Sequence, residues 1–330
     1  ITGVSPLTMD DVTSGFNIGK NISMYGKFNE LLGFTEDEVK EMINYYQREK
    51  VLNYTTDYLL SIINKWYNKY IFSKNAHTRI YNSDMVLYFI DTIIDTTNLP
   101  DDLIDPNAKT DYEKLRYLVI LDNKLNGNFS LLKQIYENGS ILSEIKPTFS
   151  VSQLQMRECF VSLLYYFGLL TINQSNFGEI QLSIPNETIK SFWSEYLLKA
   201  YQEADIFKLD VYNLSKLMRE MAYFGQWQPV FDFLAEEIKT QTRIRDYIQG
   251  EAMIKGFLLA YLNISSHYLI HPEYEMNKGY CDLYLEPFFV KHPEMKYSYI
   301  IEIKYKNRNN KGLSKAEINT LKEDAQIQLL

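Results

Sequence analysis

The stretch Tyr297-Ser-Tyr-Ile-Ile-Glu-Ile-Lys-Tyr305 alternates in character and sets two charged side chains inside an apolar segment. Successive side chains of a β-strand point to opposite faces, so the pattern places Ile300, Glu302 and Lys304 on one face. Charges in so apolar a run are costly unless they have partners or a function. The stretch therefore predicts a half-buried strand that carries a functional Glu-x-Lys pair.

An upstream stretch, Tyr280-Cys-Asp-Leu-Tyr-Leu-Glu286, shows the same alternation and places Asp282 on one face with Tyr284. If the two stretches pair as antiparallel strands, Asp282 lies near Glu302. Two carboxylates on neighbouring strands are hard oxygen ligands of the kind that Mg²⁺ or Mn²⁺ prefers. A bound metal lowers the pKa of a water, and the ammonium of Lys304 stabilises charge on a phosphate. The strands predict a site for phosphodiester hydrolysis, although a solvated hairpin face carries the same residue types.

The residues around these strands predict an α/β unit. Helical spacing occurs over residues 211–223, 228–240 and 245–262, strand alternation over 267–275, 280–287 and 297–305, and a last helix begins near Ser314. Helices followed by three strands and another helix indicate a small central sheet with helical flanks.

The first 205 residues predict a mostly helical structure. Thr35 and Glu38 have the spacing of a capping box, and helices near 57–66 and 84–96 complete a helical lid-like region. A winged-helix-like region follows, with helices near 111–122 and 152–167, a hairpin of 168–172 with 179–184, and a helix over 186–200. Such regions contact DNA in some proteins and other proteins elsewhere, and the sequence leaves both open. The whole chain is predicted to be α+β, mostly helical, in four regions: 1–30, 31–109, 110–205 and 206–330.

Composition restricts the partners and the compartment. The two cysteines, Cys159 and Cys281, form no Cys-x-x-Cys pair, which favours a reducing compartment and argues against zinc. No apolar run approaches the roughly 20 residues that span a bilayer, so we expect a cytoplasmic protein without a membrane partner. The net charge of −8 disfavours nucleic-acid binding over the whole surface. A local basic tract consists of Lys304, Lys306, Arg308, Lys311 and Lys315. It suits either phosphate binding or a solvated loop.

Several motifs resemble those of known families. The pair Gly279-Tyr-Cys-Asp282 and Ile301-Glu-Ile-Lys304, preceded by Gly250-Glu-Ala252, resembles the PD-(D/E)XK nuclease superfamily. The whole chain resembles a bacterial, Bacteroides-type family in which an AAA-ATPase-like region precedes such a nuclease domain. The further stretches that carry this resemblance are Ile1-Thr-Gly-Val-Ser-Pro6, Phe16-Asn-Ile-Gly19, Asn21-Ile-Ser23, Leu32-Gly-Phe-Thr35, Trp66-Tyr-Asn68, Tyr81-Asn-Ser83 and Leu163-Leu-Tyr-Tyr-Phe-Gly-Leu-Leu170.

The resemblance implies roles for five residues. Asp282 and Glu302 would be metal ligands, with Glu251 completing the set around Mg²⁺ or Mn²⁺. Lys304 would orient the water or stabilise the transition state, and Gln328 would support the site. Glu251 and Gln328 also suit a plain helix surface. Two further carboxylates, those of Glu273 and Glu275, are placed where either could approach the metal.

The ATPase half of that family begins with a phosphate-binding loop that this chain lacks, since Gly19-Lys20-Asn21 has neither the upstream glycine nor the following Ser or Thr. In the resemblance, residues 1–30 are the remnant of the AAA-ATPase-like core. The chain begins at Ile1 without methionine and stops at Leu330 inside a helical pattern, so we expect a fragment of a longer protein. ATP would belong only to the full-length parent, and this chain is not expected to hydrolyse it.

Three functions remain open on sequence grounds. The first is a metal-dependent nuclease with nucleic acid, DNA before RNA, as its partner. The second is a catalytically silent module that binds nucleic acid or protein, and the third is a lid and regulatory scaffold for the ATPase. An intact set of Asp282, Glu302 and Lys304 favours the nuclease. A homo-oligomer is compatible with each of the three.

Overall fold

The structure is a computed structural model that describes residues 7–8, 22, 24–109, 127–176, 179–203, 209–240, 251–276, 279–305 and 314–329. The chain divides into two compact units, residues 1–122 with 126–193 and residues 123–125 with 194–330. Helices dominate both units, and each contains a three-stranded antiparallel sheet. The predicted α+β, mostly helical class is therefore confirmed. The finer division at residues 30, 109 and 205 stays a prediction, and the helix predicted over 111–122 lies outside the described residues.

The first unit contains these helices: α1 (Glu36–Arg48), α2 (Thr56–Tyr67), α3 (Ser83–Thr96), α4 (Gly127–Asn138), α5 (Arg157–Tyr166) and the start of α6 (Glu187–Glu203). Its strands are β1 (Leu7–Thr8), β2 (Ser140–Ser143), β3 (Phe149–Ser150), β4 (Thr171–Asn176) and β5 (Glu179–Ser183). The short strands β1 and β3 pair in parallel, and β5 lies between β2 and β4. The division between the units falls inside α6.

Local capping chemistry explains where α1 begins. The backbone N–H of Thr35 donates to Glu38 Oε2 at 2.8 Å, and the N–H of Glu38 donates to Thr35 Oγ1 at 3.4 Å. This is the reciprocal capping box that the sequence predicted. The apolar face of α1 then buries Val39 and Ile43 completely.

From α4 to α6 the order of elements is helix, two short strands, helix, hairpin and helix, and the winged-helix-like character of this region stays a prediction. The predicted hairpin is present, but its first strand runs over Thr171–Asn176 and not over 168–172, and it pairs with β5 from Thr171 opposite Ser183 to Asn176 opposite Glu179. Strand β2 adds to the free edge of β5, and the sequence had not predicted it. The segment Ser140-Ile-Leu-Ser143 has two adjacent apolar residues and so lacks the alternation that indicates a strand.

Asn186 connects two parts of the first unit at the start of α6. Its side chain is buried, Nδ2 donates to the backbone oxygen of Asn68 at 2.9 Å, and Oδ1 accepts from the N–H of Ile189 at 3.1 Å.

Replacing Asn186 with Ala removes a helix cap and leaves a buried carbonyl unsatisfied. We expect the free energy of unfolding to fall by about 2–3 kcal/mol. Urea unfolding measures this free energy. The control is Asn53→Ala at an exposed position, which should change the free energy of unfolding by less than about 0.5 kcal/mol. Equal effects at both positions would contradict the assignment.

The second unit follows the order that the sequence predicted. Its elements are α7 (Val211–Phe224), α8 (Gln228–Thr240), α9 (Glu251–Leu262), β6 (Tyr268–Met276), β7 (Gly279–Pro287), β8 (Tyr299–Ile301) and α10 (Lys315–Leu329). Strand β7 is central and pairs antiparallel with β6 and β8. The core of the unit includes the fully buried Phe257, Leu259, Leu283 and Leu285. Among the described residues, none of the helices has the length and apolar character needed to cross a membrane.

Candidate nuclease site

The two faces of β7 have different chemistry. Cys281, Leu283 and Leu285 are at most 3% exposed and face the core, whereas Asp282 and Tyr284 alternate onto the other face. Leu283 lies opposite Ile301 in the ladder with β8. The two strands do pair antiparallel, and Asp282 and Glu302 are the next residues beyond this pair, with Glu302 just beyond the end of β8.

Strand β8 ends at Ile301, although the sequence predicted a strand from 297 to 305. The backbone N–H of Ile303 donates to Asp282 Oδ2 at 2.7 Å. The carboxylate of Asp282 thus accepts a backbone hydrogen bond two residues beyond the end of the ladder between β7 and β8. This bond ties Asp282 to the residue between Glu302 and Lys304, and it brings the three predicted residues together.

Glu302 has the least exposed carboxylate of these residues, with a side chain only 3% exposed. Its Oε1 accepts from Lys304 Nζ at 2.8 Å. Its Oε2 is buried and has no hydrogen-bond partner among the described residues. A buried carboxylate oxygen without a partner is unfavourable. This oxygen is therefore available for a cation.

Lys304 connects Glu302 to helix α10. Its Nζ also donates to Gln328 Oε1, and the hydrogen bond to Glu302 raises the pKa of Lys304 despite some burial, with smaller contributions from the charges of Asp282 and Glu251. Gln328 and Glu251 are both exposed. The structure therefore brings Gln328 into contact with Lys304 and places Glu251 within electrostatic range of it. The roles of all five predicted residues remain predictions.

One residue at the site was missed by the sequence reasoning. Lys255 on α9 has a side chain only 9% exposed, and its Nζ pairs with Asp282 Oδ1 at 3.2 Å and with Glu273 Oε1. Burial lowers the pKa of Lys255, but its ion pairs with Glu273 and Asp282 outweigh burial and raise it overall. The sequence did contain a signal, because Lys255 is the lone charge in the apolar segment 252–262. The other suggested carboxylate, Glu275, lies opposite Tyr280 towards the end of the hairpin.

The available donors suit a hard divalent cation. Asp282 and Glu302 supply carboxylate oxygens, and the unpartnered Oε2 of Glu302 is the specific observation that fits one. Among the described residues, no group of three or more His, Cys, Asp or Glu side chains is placed to hold a metal. Mg²⁺ commonly binds one or two carboxylates and keeps several waters, so a pair is sufficient. Part of the predicted basic tract, residues 306–313, lies outside the described residues.

Comparison with known proteins agrees with this geometry. Residues 249–329 match the family model of the PD-(D/E)XK nuclease superfamily. The match runs from α9 to α10 and contains every residue of the candidate site. It does not extend into residues 1–248, and the comparisons give no support to the predicted AAA-ATPase-like part. No curated protein and no solved structure matches the chain.

A histidine pair in the nuclease-like region lies outside the carboxylate site. The rings of His267 and His292 stack at a centroid distance of 4.4 Å, and Tyr223 Oη lies 3.1 Å from His292 Nδ1. Ser265 Oγ contacts His267 Nδ1. Burial lowers the pKa of His267 to about 4, with smaller contributions from charges on His292, Arg219 and Lys291. Burial also lowers the pKa of His292.

The depressed pKa of His267 predicts acid sensitivity. Its pKa in the unfolded chain is near 6.5, so between that pH and about pH 4 the unfolded chain binds the proton more tightly. The contribution of the neutral His267 to the free energy of unfolding is therefore fully present above pH 6.5, and it is lost as the pH falls from there towards about 4. We expect the free energy of unfolding to drop by about 1–2 kcal/mol from pH 7 to pH 5, after allowing for partial exposure. Urea unfolding at both pH values tests this. His267→Gln should reduce the drop, whereas Gln at the exposed His77 should leave it unchanged; an equal drop in all three proteins would refute the prediction.

Proposed function

We propose that residues 249–329 form a metal-dependent nuclease that hydrolyses phosphodiester bonds of nucleic acid, with DNA as the first expected substrate. The observation that carries the proposal is the buried, unpartnered Oε2 of Glu302, which lies in one cluster with Asp282 and Lys304. The match to the nuclease superfamily over the same residues supports it.

Asp282 and Glu302 would hold Mg²⁺ or Mn²⁺ as a pair. Glu251, the further ligand that the resemblance implies, does not form a group of three with them among the described residues. When bound, such a metal makes a water more acidic and polarises a phosphate oxygen. Ile303 keeps Asp282 in position through its backbone N–H. Asp282 therefore remains aligned with the segment that carries Glu302.

Lys304 supplies positive charge beside Glu302. Glu302 and Gln328 accept two of its three N–H donors and so orient the ammonium. The third donor can reach a phosphate oxygen or a water. A cation held in this way lowers the energy of a transition state in which negative charge builds up on phosphate. In this proposal Lys304 acts as an electrostatic group, and Gln328 acts by orienting it.

A second candidate is a catalytically silent module that binds nucleic acid or protein. It is favoured by the low exposure of the Glu302 side chain and by the neutralisation of Asp282 by Lys255. An AAA-ATPase-like part, nucleic-acid contact by the predicted winged-helix-like region and a homo-oligomer remain further proposals. None of these bears on the chemistry of Asp282, Glu302 and Lys304.

The test is cleavage of supercoiled plasmid, single-stranded DNA and RNA by the purified chain. We expect cleavage with Mg²⁺ or Mn²⁺, its loss with EDTA, and its loss in Glu302→Gln. Cleavage that survives in Glu302→Gln at the wild-type rate would show contamination and refute the proposal. Binding without cleavage of any substrate would favour the silent module. The three substrates also determine which nucleic acid is preferred.

A further inference from the structure

Lys255 is a buried ammonium that contacts a proposed metal ligand directly. Its Nζ lies 3.2 Å from Asp282 Oδ1, and the side chain is only 9% exposed, against 13% for Asp282 and 53% for Glu273. Lysine side chains usually extend their ammonium group into water. The side chain of Lys255 is instead buried, and its two carboxylate partners hold the ammonium there. Lys255 therefore places a unit positive charge where the proposed site requires a divalent cation.

The backbone around Glu273 is arranged to maintain this contact. Glu273 has φ of +46°, a conformation that non-glycine residues rarely adopt. The ladder between β6 and β7 pairs Pro272 with Leu283 and Tyr274 with Cys281, and it omits the pair of Glu273 with Asp282. The irregular residue on β6 is thus the one whose carboxylate shares Lys255 with Asp282. Strain that coincides with a cluster of charges suggests a functional constraint.

We propose that Lys255 is an internal counter-cation of the carboxylate site and competes with the divalent metal for Asp282. This inference rests on the proposed function, because it assumes that Asp282 is a metal ligand. Without metal, Lys255 neutralises Asp282 and relieves its repulsion with the neighbouring carboxylates. Metal binding replaces that contact, and Lys255 then stays paired with Glu273.

The sign of the effect separates competition from support. The ammonium of Lys255 repels an incoming divalent cation, and its hydrogen bond occupies Asp282 Oδ1. If the two cations compete, removing the ammonium therefore strengthens metal binding. If Lys255 instead positioned Asp282 within the metal complex, its removal would weaken metal binding. Lys304 does not replace Lys255 in this respect, because its contacts are with Glu302 and Gln328.

The experiment measures the dissociation constant of Mn²⁺ by calorimetry, without nucleic acid. We expect Lys255→Met to bind Mn²⁺ about tenfold more tightly than the wild type. Lys255→Arg keeps the charge and should bind as the wild type does. The metal-free Lys255→Met protein should have a lower melting temperature that Mn²⁺ restores towards that of the wild type, because the metal replaces the lost positive charge.

A paired comparison covers the case in which Lys255→Met does not fold. Lys255→Met with Glu273→Gln removes one charge of each sign, and Glu273→Gln alone is its reference. The double variant should bind Mn²⁺ more tightly than the reference by a similar factor. Equal or weaker binding in both comparisons would overturn the inference. Tighter binding without cleavage by any variant would leave the inference standing and refute the proposed nuclease. Cleavage by the wild type without tighter Mn²⁺ binding in the variants would overturn the inference and leave the proposed nuclease standing.

Discussion

Glu302→Gln should lower metal-dependent DNA cleavage by at least about 10³-fold, the scale of losing a major electrostatic contribution to catalysis. The substitution keeps the size and shape of the side chain. It removes the negative charge that holds Lys304 and replaces one carboxylate oxygen with an amide nitrogen that cannot bind a metal. Both losses act on the same cluster, so we expect this to be the largest effect of any single conservative change at the site.

Folding should be affected much less than activity by the same change. The Glu302 carboxylate is 3% exposed and one of its oxygens has no partner among the described residues, so the wild-type residue is itself unfavourable for stability. We expect the free energy of unfolding to change by less than about 1 kcal/mol. Glu294→Gln, on the exposed loop after β7, is the matched control and should keep both activity and stability. Cleavage by Glu302→Gln within tenfold of the wild type would show that Glu302 is not essential.

Asp282→Asn should weaken Mn²⁺ binding by about 100-fold or more, opposite in sign to the change expected for Lys255→Met. Asp282 accepts from the Ile303 N–H and pairs with Lys255, so the substitution removes a metal ligand and a partner of a buried ammonium together. Glu273 remains to neutralise Lys255, which limits the destabilisation. We expect the free energy of unfolding to fall by about 2 kcal/mol.

Calorimetry with Mn²⁺ and urea unfolding measure the two effects of Asp282→Asn separately. Asp232→Asn on α8 is the matched control, because Asp232 is exposed and its carboxylate accepts a hydrogen bond from the side-chain amide of the neighbouring Gln228. It should change the free energy of unfolding by less than about 0.5 kcal/mol. Unaltered Mn²⁺ binding in Asp282→Asn would remove Asp282 from the metal site, whatever its effect on stability.

Local signals explain which elements were predicted well. The capping box at Thr35 and Glu38 needs only four neighbouring residues, and it is present as predicted. The alternation of β7 has a regular buried face, so its bounds differ from the prediction by one residue. Strand β8 was predicted too long, because alternation continues to Tyr305 while Asp282 takes the N–H of Ile303. Strand β2 was missed because its two apolar residues are adjacent and because it depends on pairing with β5.

The amino-acid sequence by itself determined the alternation of polar and apolar side chains along the two strand segments, because alternation is a local property of the backbone. It indicated Asp282, Glu302 and Lys304 on that basis. Only the tertiary structure decided that Glu302 is buried with an unpartnered oxygen and that Lys255 joins Asp282 to Glu273. The ion pairs join Lys255 on helix α9 to Glu273 on β6 and to Asp282 on β7, which lie 18 and 27 residues further along the chain. Such long-range contacts leave no periodic pattern in the sequence.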